Sequence, residues 1–363
     1  MRKRVEPVGI PSVHGGEDVK AYTHDDDAAA AGRLLATREE SSQGIMPRSL
    51  RLFPLLLALL CQPLLASPAS NGKLSLPPNT FVILDHIYSG RRDLAIPEAQ
   101  ELQREFPANP LGYLLEAEAL WWRIWCASAD YKYGMTTARH REKLAGDQHY
   151  FELMQKASSV AEANLHQQES AEMHFYAGMA EAGVSRLDGL RGENRAGARA
   201  AVRAREHFLR ALALDPTLSD AYCGLGLYNY YVDTLSTLAR VLRFFMGIPG
   251  GSKEEGIRQL KRAIDEGQLT PPLARFYLAM NLHGYDQRYE EALQVSAPLA
   301  EKYPQNPIYQ LMRGDLYAKL NRKQLAEASY RATSADIPTV PEAECRARLT
   351  ELVRQSLAAI GAK

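Results

Sequence analysis

The sequence predicts an all-α fold: an α–α superhelix of about six helical hairpins, with insertions and a C-terminal cap helix. Three observations predict it. Apolar residues recur at the helical period through residues 79–340, and no run alternates as a half-buried strand would. Residues 275–338 repeat themselves at an interval of thirty-four residues. Prolines and Asn-Pro pairs punctuate the chain where helices must stop and start.

The repeat is read directly. RYEEAL (288–293) runs on to YPQNP (303–307), and RKQLA (322–326) runs on to DIP (336–338). Ala292 and Ala326 are one period apart, as are Pro304 and Pro338. Small residues at Gly314 and Ala326 let two helices approach closely, and Tyr317 and Tyr330 fill the wedge beside them. Pro304 and Pro338 end a helix, because proline lacks an N–H and clashes with the preceding turn. Asn306 can cap the next helix, and Pro307 suits its first position, where a missing N–H costs nothing. In period, and in the placing of Ala292, Pro304, Gly314, Tyr317, Ala326, Tyr330 and Pro338, the stretch resembles two consecutive tetratricopeptide repeats.

Upstream units follow the same grammar. Residues 79–90 and 91–106 form a first hairpin, with Ala95 and Ala99 at close-contact positions and Pro97 expected to kink or delay its second helix. Asn109-Pro110 opens a second unit, whose first helix holds all three tryptophans, Trp121, Trp122 and Trp125. Its partner helix is expected at 148–164. A third unit starts near Ser170 and returns through 199–214, with Ala204, Phe208 and Ala211 inward. A fourth starts at Ala221 and returns through 252–266. Insertions are expected at 127–147, 186–199 and 233–251. Thr339 to Glu342 reads as a capping box opening a last helix, with Leu349, Leu352, Val353 and Leu357 on one side, which covers the exposed end of the stack. The likeness spans residues 79–340. GIPGGSKEEG (247–256), with Leu260, Ala263 and residues 274–279, is also similar to the Iml2-like branch of tetratricopeptide proteins.

The N-terminus differs. Residues 1–45 lack a sustained apolar period and are expected to be disordered or to come from an over-extended gene start. From Met46, a basic flank, the apolar run 52–60 and small residues at 66–70 describe a signal peptide ending near Ala69, with 70–78 as linker. The rival reading is a true extension with an anchoring apolar segment. Cys61 follows Leu60, whereas a lipobox needs a small residue there. Cys126, Cys223 and Cys345 fit neither a metal knuckle nor a redox pair. An exported compartment permits a disulfide, but these cysteines are read as buried apolar residues.

Composition narrows the function. With 43 basic and 43 acidic residues the chain has no net charge, which gives no electrostatic case for nucleic acid. The glycines at 247–251 are not a phosphate loop: Ser252-Lys253 is the reverse of the required order, and Ser252 to Glu255 reads as a capping box. His86, His140, His149, His166, His174, His207 and His283 are scattered, and His149 with Glu152 supplies two metal ligands but no third. No cofactor and no metal are expected.

The aromatic inner positions are Trp121, Trp122, Phe175, Tyr230, Tyr231, Tyr277 and Tyr285. They either line a concave groove for an extended peptide or fill the inter-helix core. The resemblance implies a non-catalytic interaction scaffold, here exported to the cell envelope, that binds a protein segment on its concave face and has no membrane span once the signal is cleaved. The alternatives are an envelope protein that encloses a small apolar ligand or lipid in an aromatic cavity, and an enzyme whose site is assembled from the insertions.

Overall fold

Helices fill most of the described residues, and no strand occurs among them. The structure, a computed structural model, describes residues 72–128, 142–235, 240, 243 and 247–362, all within the second of the chain's two units, Leu65–Lys363. The expectations for 1–45, for the signal peptide at 46–69 and for Cys61 lie outside the described residues, as do most of the insertion 127–147 and part of the insertion 233–251. Six hairpins follow one another: α1 (Thr80–Tyr88) with α2 (Arg92–Glu105), α3 (Leu111–Ser128) with α4 (Gly146–Gln167), and α5 (Ala171–Arg191) with α6 (Asn194–Leu214). Then come α7 (Ala221–Asp233) with α8 (Lys253–Glu266), α9 (Pro271–Gly284) with α10 (Tyr289–Lys302), and α11 (Pro307–Lys319) with α12 (Lys323–Asp336). A 3₁₀ turn (Ile337–Thr339) leads into α13 (Ala343–Ala359).

Local chemistry sets the boundaries. The Asn306 side chain accepts from the Ile308 N–H at 3.0 Å, and Pro307 takes the first helical position of α11. Asn109 caps α3 in the same way, accepting from the Leu111 N–H at 2.9 Å. Ser252 accepts from the Glu255 N–H at the start of α8, which satisfies one donor that the helix itself leaves unpaired. Packing follows from small residues. A Cβ added at Gly314 would come within 2.5 Å of the Tyr330 ring, so α11 and α12 meet at that glycine. Ala292 and Ala326 are fully buried at the equivalent contacts, and Tyr317 packs half-buried against the core.

Several expectations change. Pro97 lies inside α2, whose start at Arg92 is not delayed by it. Within α1, Phe81 and Val82 are about half exposed, at 52% and 49%. The stretch 186–199 is no insertion: α5 and α6 extend as two twenty-one-residue helices joined by a tight turn at Gly192, whose φ of 85° suits glycine. The capping box at Thr339 to Glu342 does not form. The Thr339 hydroxyl donates to the Asp336 carbonyl, and the Glu342 carboxylate is taken by Arg92 from α2.

That ion pair marks the larger departure. The superhelix closes on itself, and α13 covers no free end. It packs on α12, α11 and, from the opposite end of the chain, α3. Asp85 of α1 pairs with Lys302 at 2.8 Å and accepts from the Tyr303 hydroxyl at 2.8 Å, while Asn306 donates to the Tyr88 carbonyl at 2.7 Å. A disulfide between Cys126 of α3 and Cys345 of α13 links residues 219 apart. This corrects the reading of both cysteines as simple apolar fillers. Cys223 is free and buried, as that reading had it.

Candidate functional site

Ring closure decides where the aromatic residues go. Because α1–α3 dock against α9–α13, the inner face of the superhelix is filled, and α3 becomes its centre. Trp121, Trp122 and Trp125 are each at most 1% exposed. Trp122 packs edge-on to Phe276 of α9 at 4.7 Å between ring centres, and against Tyr309 of α11 and Tyr88 of α1 at 6.0 Å each. Trp121 stacks on Trp125 at 5.8 Å.

Inside this apolar centre sits an ion pair. The Glu118 carboxylate accepts from the Trp122 indole N–H at 2.9 Å and from the Arg186 guanidinium at 2.8 Å. Arg186 reaches in from α5, lies over the Trp121 ring at 4.2 Å, and donates to the Tyr150 hydroxyl of α4 at 2.9 Å. Tyr150 in turn donates to the Gly183 carbonyl at 3.1 Å. Burial opposes charge on Arg186, but the Glu118 carboxylate together with the Tyr150 and Tyr277 hydroxyls outweighs it and raises the guanidinium well above its usual range. Burial also pushes the Tyr150 hydroxyl up to about 12, against the pull of Arg186. A buried pair of this kind survives because each charge is hydrogen-bonded as well as paired. It ties α3, α4 and α5 into one register.

The seven predicted contact residues divide into three places. Trp121, Trp122 and Tyr277 belong to the centre, where the Tyr277 ring lies 5.4 Å from Phe276. Tyr230, Tyr231 and Tyr285 form a second cluster, with ring centres about 6 Å apart, 5.8–6.2 Å. There the Tyr231 hydroxyl donates to Asn281 at 2.9 Å. Phe175 stands apart, against Tyr176 and Phe208. Trp121, Trp122, Phe175, Tyr230 and Tyr277 are all at most 2% exposed, and Tyr231 and Tyr285 are half-buried. Of the two readings, groove or inter-helix core, these burials match the core, for a physical reason: the ends of the superhelix meet across it. A cavity of about 260 Å³ opens instead at the seam, between the α1–α2 turn (89–93) and the start of α11 (305–308), with Cys345 and Leu349 behind. None of its lining residues is aromatic.

Sequence reasoning missed Glu118 and Arg186. Glu118 carried a signal, since a carboxylate one helical turn before Trp122 sits within an otherwise apolar face. Arg186 was assigned to an insertion. Among the described residues, two of the scattered histidines meet, His174 of α5 and His207 of α6, whose Nδ1 atoms lie 3.0 Å apart. Among the described residues no group of three His, Cys, Asp or Glu side chains is placed to hold a metal ion.

A family model described as regulator of microtubule dynamics protein 1-3 matches residues 101–307. The chain belongs to that family. A comparison with curated proteins finds no match. The regulator of microtubule dynamics match begins within α2 and ends at the first residue of α11, so it contains the three tryptophans, Phe276, Glu118 and Arg186, but not Tyr88 or Tyr309. It includes Cys126 but not Cys345.

Proposed function

We propose that this chain is a non-catalytic interaction scaffold of tetratricopeptide type, exported to the cell envelope, that binds a protein segment. The observation that carries the protein-partner reading is membership of a family named for regulators of microtubule dynamics, a task exercised on a protein assembly. Only the class of partner is carried over, not the microtubule. The close contact at Gly314 and Tyr330 and the capped starts at Asn109 and Asn306 support the tetratricopeptide type. Export is supported by the disulfide between Cys126 and Cys345, since such bonds persist in oxidising compartments. No helix among the described residues is long and apolar enough to cross a membrane.

Because the aromatic residues are packed in the core, the binding surface lies elsewhere on the helical hairpins. The test is chemical cross-linking in the native envelope followed by purification of the intact chain. A specific protein cross-linked to the folded chain, and absent from a heat-unfolded control, supports the scaffold. A small molecule or lipid that co-purifies in its place, seen by native mass spectrometry, transfers the reading to ligand binding. The mature N-terminus is checked by the same instrument: a start just after Ala69 is expected, and a chain retaining residues 52–60 would reject export.

A further inference from the structure

One segment of this chain is already held as a partner peptide would be. Residues 72–76 approach α1 along the connections between four consecutive hairpins, α4 to α5, α6 to α7 and α8 to α9. The Gly72 N–H donates to the Asp215 carboxylate at 3.1 Å, the Leu74 N–H to the Gln268 side-chain oxygen at 3.0 Å, and the Ser75 N–H to the Glu172 carboxylate at 3.0 Å. Each acceptor comes from a different turn: Glu172 from the start of α5, Asp215 from the end of α6, and Gln268 from between α8 and α9. Leu74 is 5% exposed and joins the core, while Lys73 and Ser75 on either side face solvent. Gly72 has a φ of 70°, and a Cβ there would meet the Thr217 carbonyl oxygen at 2.4 Å. Backbone capture by fixed side chains, with one apolar anchor and one position closed to any side chain, is how a rigid surface selects an extended peptide.

The clamp is organised from behind. Asp215 also accepts from the Thr217 N–H at 2.9 Å and its hydroxyl at 2.6 Å. Glu172 also accepts from the Tyr176 hydroxyl at 3.0 Å. The loop bearing Gln268 is fixed by Asp220, which accepts from the N–H groups of Gln268, Leu269 and Thr270 at 2.9, 2.8 and 2.7 Å. Side chains held this firmly lose little freedom when a segment docks.

We propose that the edge formed by Glu172, Asp215 and Gln268 is the partner-binding surface, that residues 72–76 are its resident occupant, and that a partner displaces them with an extended segment of Gly-x-Leu pattern. The proposal rests on the scaffold reading and gives it a surface and a ligand class. Resident and incoming segments exclude one another, so the chain is self-occupied at rest.

The test uses the full chain and a labelled synthetic peptide, NGKLSLPP, the sequence of residues 71–78. Leu74→Asp ejects the resident anchor. Fluorescence anisotropy is expected to show the peptide binding that variant at least tenfold more tightly than wild type. Placing alanine at the peptide's glycine, or adding Asp215→Ala to the variant, should each weaken binding at least tenfold. A folded Leu74→Asp chain that ignores the peptide overturns the proposal, as does binding indifferent to the peptide's glycine. Hydrogen exchange on wild type decides independently of how that variant folds. Amides of residues 72–75 exchanging at least tenfold faster than those of α5 and α6 support displacement, whereas exchange only with global unfolding overturns it. A cross-linked partner that survives loss of peptide binding would leave the scaffold standing and remove only this surface.

Discussion

Phe208 has glycine on both sides. A Cβ at Gly178 of α5 would lie 2.7 Å from one edge of its ring, and a Cβ at Gly224 of α7 would lie 2.0 Å from the other. The ring cannot retreat from one helix without striking the second. Gly224→Ala should therefore destabilise despite the gain of about 1 kcal/mol that alanine brings to a helix. Overpacking costs roughly 1–3 kcal/mol, so a small net loss is expected in urea melts. Shrinking the ring with Phe208→Leu in the same chain should cancel part of the alanine's cost in a double-mutant cycle. His283 of α9 carries a pH dependence. Burial, helped by Lys319, brings its imidazole down from 6.5 to about 4. Above pH 6.5 it is neutral in folded and unfolded chains alike and contributes nothing to their balance. Between 6.5 and 4 only the unfolded chain takes up the proton, so stability falls with pH, by up to about 3 kcal/mol. Thermal melts across that window should slope downward toward acid, and His283→Leu should flatten the slope.

Among elements, the joint between α3, α4 and α5 is the most exacting. Arg191, the last residue of α5, makes a two-pronged ion pair with Asp147 at 2.6 and 2.7 Å and also donates to Ser128 at 3.4 Å. Ser128 ends α3 and Asp147 stands at the start of α4, so one guanidinium fixes both ends of the connection between them. Arg191→Met leaves Asp147 buried without its countercharge and should cost about 3–5 kcal/mol. Arg191→Met with Asp147→Leu should recover most of that loss in chemical denaturation, since no buried charge remains. Elements whose boundaries come from local chemistry were legible in sequence: Asn306-Pro307 started α11, Asn109 started α3, and Ser252 capped α8. The length of α5 and α6 was not, because the Gly- and Arg-rich stretch 186–199 looked like a loop. Tertiary pairing overrides that composition, giving Arg186 and Arg191 carboxylates that lie 68 and 44 residues away in sequence. The aromatic residues were legible as inner-face positions. Whether they line a groove or fill the core was not, because that depends on α1–α3 meeting α9–α13.

For the second unit taken as a whole, ring closure is the consequence that the repeat pattern does not contain. An open stack of hairpins is held by contacts between neighbours alone. Here long-range ties are added between α1–α3 and α10–α13, and the disulfide between Cys126 and Cys345 makes one of them covalent. Linking residues 219 apart removes much of the freedom of the unfolded chain, worth about 5 kcal/mol in the chain-entropy model. Reduction, or Cys126→Ser with Cys345→Ser, should therefore lower the thermal midpoint by on the order of 10 °C. The non-covalent seam, Arg92 with Glu342 and Asp85 with Lys302, stays in place, so far-UV circular dichroism at room temperature should be unchanged. The two measurements together separate the possibilities. A large drop in midpoint with unchanged helicity means that the bond acts mainly on the unfolded chain. A loss of helicity on reduction means that the ring needs the bond in order to close, and the aromatic centre should then become accessible, seen as a red shift of tryptophan emission. An unchanged midpoint, with free thiols found in the purified protein, would show that the bond does not form and would withdraw its support for an oxidising compartment.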